Sequence, residues 1–185
     1  MNQESQHKNQ QQKEIFLIGY MGSGKSSVGK ELARLTGLTL HEMDQEIEES
    51  EGMPIPKIFT ILGEPYFRDL ESRLLKQHSE QTNVIVSCGG GIILDPLNVE
   101  VLKERCFAVF LEGDVELLFH RVKNDANRPN AYMGGAPEEE RLARFRAQYE
   151  KRKSHYVEAS SLTIDINGKM PVQIAQEILS ALQLQ

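Results

Sequence analysis

The segment Ile15-Phe16-Leu17-Ile18-Gly19-Tyr20-Met21-Gly22-Ser23-Gly24-Lys25-Ser26-Ser27 constrains the fold of this chain more than any other. Ile15 to Ile18 is an apolar run of the length expected for a buried strand. It ends at Gly19, and four residues later comes Gly24-Lys25-Ser26. That is the G-x-x-x-x-G-K-[ST] spacing of a phosphate-binding loop. Glycines at Gly22 and Gly24 let the backbone turn tightly and approach a phosphate chain. The amides of Gly22, Ser23, Gly24, Lys25, Ser26 and Ser27 can then point inward as an anion nest. Lys25 brings a compact cation to the outer phosphates, and Ser26 offers a hydroxyl to Mg2+. Val28 to Leu35 has helical spacing, so the nest sits at a helix N-terminus, whose partial positive charge favours anions. A bare glycine-rich match is weak. Placed between a strand and a helix it points to a bound nucleoside triphosphate, without naming the acceptor.

The 185 residues fit one domain, which we delimit as residues 14–185. Met1 to Lys13 is rich in Gln and Asn without an apolar core and reads as a disordered tail. It lacks the apolar stretch of a secretory signal. A net charge of −6 argues against a nucleic-acid binder, although the ten arginines leave room for local basic clusters. No run of 18 apolar residues is available to span a membrane. Cys88 and Cys106 both lie in apolar runs and read as buried free thiols in a reducing compartment. The chain therefore reads as cytoplasmic; a monomer is the expectation for its assembly, though no residue pattern specifies it.

Five strands are expected to alternate with helices: Ile15–Ile18, Leu38–Met43, Asn83–Cys88, Cys106–Leu111 and Leu162–Ile166. That order predicts a three-layer α/β/α fold with a five-stranded parallel sheet, and the phosphate loop after its first strand makes it a P-loop fold. Three features remain open on the residues alone. Asp44 is either a helix cap or a functional carboxylate. Arg68, expected near the start of a helix over Tyr66–Ser79, is either solvated or held for a ligand. Gly89-Gly90-Gly91 at the end of a buried strand is either a flexible turn or a close backbone approach to a ligand. Residues 124–137 are polar and broken by Pro and Gly, which reads as a lid with Arg128-Pro129 in its middle.

Taken together, these segments resemble shikimate kinases over about residues 14–183. The resemblance rests on the phosphate loop; on Asp44-Gln45-Glu46-Ile47-Glu48; on Gly63-Glu64 followed by Phe67-Arg68 and Glu71; on Gly89-Gly90-Gly91; on Arg128-Pro129; and on Lys151-Arg152 ahead of Tyr156. It implies MgATP as phosphoryl donor and the 3-hydroxyl of shikimate as acceptor, in the route to chorismate and aromatic amino acids. It also implies roles. Asp44 holds the shikimate hydroxyls and takes the proton. Arg68 and Arg152 grip its carboxylate, and Gly89, Gly90 and Gly91 form the wall of the acceptor site. Arg128 swings from the lid onto the phosphates, and Arg121 stacks near adenine. Lys25, Asp44 and Arg128 are thus the implied catalytic residues. The chain departs from the family at Glu42, where Asp is usual. Glu42 would reach Mg2+ through water, one methylene further out. It departs again at Asn130-Ala131 in the lid, and at Lys153-Ser154-His155, where a Pro-containing anchor segment is common. Two competing readings are a gluconate-type kinase, opposed by the Phe-Arg and triple-Gly set, and a non-catalytic nucleotide-binding module. An Asn-Lys-x-Asp base-reading motif, which a GTPase switch would carry, is absent from the sequence.

Overall fold

The computed structural model describes residues 14–123 and 136–183. The expected tail and nearly all of the expected lid, Arg128 included, lie outside the described residues. Five strands form one all-parallel sheet: β1 (Glu14–Ile18), β2 (Thr39–Glu42), β3 (Val84–Ser87), β4 (Phe107–Glu112) and β5 (Leu162–Asp165). Their order across the sheet is β2-β3-β1-β4-β5. Phe16 of β1 pairs with Val86 of β3 on one side and Ala108 of β4 on the other. A strand with neighbours on both edges and helices above and below sees no water. This is why Ile15, Phe16, Leu17 and Ile18 are an unbroken apolar run, all at 0% exposure.

Helices cover both faces. The helices α1 (Lys25–Thr36) and α8 (Pro171–Gln183) pack together, while α7 (Glu138–Ala159) packs against α5 (Pro96–Arg105) and α6 (Val115–Val122). The first of these starts at Lys25, earlier than the expected Val28, because Gly24 takes a left-handed φ of 84° that serves as its cap. Between β2 and β3 run α2 (Met43–Glu51), α3 (Ile55–Ile61) and α4 (Glu64–His78). Ile47, Ile58 and Phe67 from these three helices form a small satellite core. Burying those side chains holds the three helices together as one unit.

Three expectations about local structure change. Asp44 is not a helix cap, because Glu42 is extended and helical backbone begins at Met43. Arg68 does not open its helix. Gly63, at φ 86°, precedes a helix that starts at Glu64, so Arg68 lies one turn in, beyond the strongest dipole field. Lys153-Ser154-His155 forms no separate anchor loop. With no Pro to break it, α7 runs unbroken through them to Ala159. Cys88 and Cys106 are buried and free, as expected.

Candidate active site

Strand order assembles the site. With β2, β3 and β1 side by side, the residues leaving their carboxyl ends stand in a row: Asp44 after β2, Gly89-Gly90-Gly91 after β3, and the phosphate loop after β1. Open parallel sheets bind ligands at this edge. A cavity of about 660 Å³ lies here. Loop residues Gly22, Gly24, Lys25, Ser26 and Ser27 line it together with Glu42, Asp44, Gly90 and Arg121.

The loop is tightly seated. Gly22 has φ +85°, and a Cβ there would lie 2.5 Å from the Leu118 carbonyl oxygen, so no side chain is admissible. Ser23 is buried, its amide donating to the Tyr20 carbonyl at 3.1 Å. Lys25 folds back across the loop. Its Nζ donates to the carbonyl of Gly19 at 2.8 Å and of Tyr20 at 3.3 Å. Ser26 Oγ donates to Glu42 Oε2 at 2.7 Å. The longer Glu side chain therefore reaches the loop serine, and a hydroxyl and a carboxylate stand side by side as hard oxygen donors, the type that suits Mg2+. Arg121 Nη1 donates to the Gly22 carbonyl at 3.1 Å, which holds its guanidinium at the cavity rim.

The acceptor side is built around the three glycines. A Cβ at Gly91 would collide with the Arg68 guanidinium. A Cβ at Gly89 would collide with the Glu71 carboxylate and lie 2.9 Å from Asp44 Oδ1. Gly90 backs onto the phosphate loop, where a Cβ would sit 3.6 Å from the Met21 amide. The Gly90 carbonyl accepts from Tyr156 Oη at 2.5 Å and from Arg152 Nη1 at 3.5 Å. The Arg152 guanidinium lies 5.5 Å from the Tyr20 ring centre, and that of Arg68 lies 5.3 Å from the Phe67 ring centre. Arg68 and Arg152 thus come from different helices to adjacent glycines on one side of the molecule. Arg128 is not among the described residues.

In the sequence Glu71 is legible only as the last residue of the stretch that starts at Gly63-Glu64, yet it anchors Arg68. Its carboxylate pairs with Arg68 Nη1 and is almost fully buried, and its Oε1 has no hydrogen-bond partner among the described residues. The i, i+3 spacing from Arg68 is the signal that could have singled it out. Burial pushes its carboxyl up to about 7, against the pull of Arg68, with the nearby Asp44 charge raising it further. A carboxyl raised in the folded state stabilises the fold fully only below its unfolded range, and that contribution is lost as pH rises through about 7. In Glu71→Gln, urea-unfolding stability should lose this downward slope between pH 5 and 8. Protonation also removes the charge that holds Arg68. For the wild type, kcat/KM for the acceptor should therefore fall below pH 7, by roughly tenfold per pH unit at most. An unchanged profile in Glu71→Gln would show that another group titrates.

Gly91 offers a cleaner perturbation. Its φ of −104° suits any residue, and the atoms in the way belong to the mobile end of Arg68. Gly91→Ala should fold normally, displace that guanidinium and raise acceptor KM roughly tenfold, with KM for the triphosphate unchanged. Circular dichroism and steady-state kinetics check both halves.

Comparison with known proteins gives a consistent picture. The shikimate kinase family model matches residues 21–183. A shikimate kinase of Persephonella marina is 40% identical over 169 residues, 91% of this chain and 98% of its own. The structure of a shikimate kinase from Acinetobacter baumannii in complex with shikimate superposes with a TM-score of 0.86, at 34% identity, covering 94% of each chain. A gluconokinase from Sinorhizobium meliloti is 21% identical with a TM-score of 0.56, covering 93% of this chain and 92% of its own, a likeness of fold alone.

Proposed function

The chain belongs to the shikimate kinase family, and from that premise we propose that this cleft transfers a phosphoryl group from ATP to the 3-hydroxyl of shikimate. The product, shikimate 3-phosphate, belongs to the route to chorismate and aromatic amino acids. One observation carries the reading. The triphosphate cradle and two arginines of opposite origin, Arg68 and Arg152, meet across the same glycine wall, with Asp44 beside it. A planar guanidinium fork matches a carboxylate two-pronged, and shikimate carries one carboxylate.

Phosphoryl transfer of this kind depends on positioning and charge stabilisation. The amides of Gly22 to Ser27 and the Lys25 ammonium would hold the phosphates in the cavity that they line. Ser26, with Glu42 through water, would hold Mg2+, which neutralises phosphate charge when bound. Arg68 and Arg152 would anchor the acceptor carboxylate. Asp44, facing the cavity from the first turn of α2, would orient the hydroxyl and accept its proton. Arg121 would lie along the nucleotide at the rim. Arg128 and the segment 124–137 would close over the phosphates and keep water from taking them. Among the described residues no helix is long and apolar enough to cross a membrane. We place the enzyme in the cytoplasm as a monomer.

A substrate panel with coupled ADP detection tests this reading. Turnover should require shikimate. Turnover of gluconate or a nucleoside monophosphate without turnover of shikimate would overturn it, as would ATP binding with no turnover of any acceptor.

A further inference from the structure

On β2, α2 and α4 stands a second group of side chains with no part in the mechanism above. His41 of β2, Glu46 of α2 and His78 of α4 each bring a donor atom within 4.8 Å of the others. His41 Nδ1 lies 2.7 Å from Glu46 Oε1, and His78 Nε2 lies 2.8 Å from Glu46 Oε2. The two imidazole rings are 4.4 Å apart, centre to centre. His78 is buried, while its partners keep a quarter to a third of their side-chain surface, at 24% and 30%. Three separate elements therefore aim two imidazoles at one carboxylate, on a site open to solvent from one side.

We propose that His41, Glu46 and His78 bind one divalent transition-metal ion of the zinc type. Two nitrogens and one carboxylate oxygen are a donor set for Zn2+, Co2+ or Ni2+, and not for Mg2+. Tetrahedral zinc ligands lie roughly 3.3 Å from one another. Donor atoms already within 4.8 Å need only small side-chain rotations. Hydrogen bonding alone gives a less complete account of the cluster. It pairs each imidazole with its own oxygen of Glu46, whereas His41 Nδ1, His78 Nε2 and the carboxylate all face one point, where a single ion could take one donor atom from each of the three side chains. Exposure of His41 and Glu46 leaves a way in for the ion and room for a water as fourth ligand. The site is distinct from the oxygen pair of Ser26 and Glu42. Its bound ion would tie β2, α2 and α4 together. Glu46 lies two residues past Asp44, and His78 ends the helix that carries Arg68 and Glu71, so the clamp would stiffen the two helices that carry Asp44 and Arg68.

The test uses full-length protein stripped with a chelator, without nucleotide or shikimate. Calorimetric titration with Zn2+ should show one saturable site, Co2+ should give the visible absorption of a tetrahedral complex, and Zn2+ should raise Tm. His41→Ala and Glu46→Gln, both at partly exposed positions, should fold and lose Zn2+ affinity by roughly 100-fold or more. The proposal is overturned if the wild type shows no saturable Zn2+ site. Wild-type affinity in both variants would also overturn it, since the ion would then sit on His7, His120 or His155.

Discussion

Replacing Lys25 with alanine is expected to lower turnover by roughly 10²- to 10³-fold, the loss typical when one preorganised charge is removed from a reacting phosphate or oxyanion. Its ammonium is held by the Gly19 and Tyr20 carbonyls inside the loop, so incoming phosphates meet a charge already confined to the cradle and take the place of those carbonyls. The charge should matter most where negative charge is redistributed, in the transition state. KM for ATP should rise much less than kcat falls. Lys25→Arg should not rescue, because a planar fork cannot take the place of a compact ammonium folded across a tight turn. A mutant that loses ATP affinity alone, with kcat intact, would reduce Lys25 to a binding residue.

Arg68→Ala should act on the other half of the cleft. Shikimate KM is expected to rise on the order of 100-fold, with a fall in kcat, as two charge-assisted hydrogen bonds to a carboxylate are lost. ATP affinity should hardly change. Stability is the competing explanation to exclude. Removing one partner of a buried ion pair leaves the other charge uncompensated, which destabilises by about 3–5 kcal/mol when that charge persists. Here Glu71 is already pushed up to about 7, so it can take up a proton instead and much of that penalty is avoided. The double variant Arg68→Ala/Glu71→Gln should therefore unfold close to the wild type in urea and still bind shikimate poorly. An equal loss of ATP and shikimate affinity in Arg68→Ala would contradict its place as a carboxylate anchor.

The two halves of the cleft differ in how plainly they could be read from residues. The phosphate loop is local chemistry. Strand, glycines, lysine, serine and helix follow one another within a single short segment, so spacing alone is informative. Its structural counterpart, with left-handed φ at Gly22 and Gly24, is the conformation those residue types favour. The acceptor side is spread over Asp44, Arg68, Gly89 to Gly91 and Arg152. Without the family resemblance, Asp44, Arg68 and the three glycines each had a blander explanation as cap, surface cation or turn, and Arg152 had no mark at all. Glu71 shows the limit most clearly. Its spacing from Arg68 marks it as an ion-pair partner, but nothing in a charged helix marks one of its glutamates as buried, and only packing against Gly89 and Arg68 makes it so.

Residue order by itself determined the alternation of strands and helices, the parallel sheet and the nucleotide-binding turn, because periodicity, glycine placement and capping act over a few neighbouring residues. Tertiary structure alone decided which strands lie side by side. The order β2-β3-β1-β4-β5 brings Asp44, Gly90 and Lys25 to one edge, and α4 and α7 then deliver Arg68 and Arg152 to neighbouring glycines. The same contacts bury Glu71 and gather His41, Glu46 and His78. The physical reason is that burial and charge pairing depend on which surfaces meet, and surfaces far apart along the chain meet only once the whole core has closed.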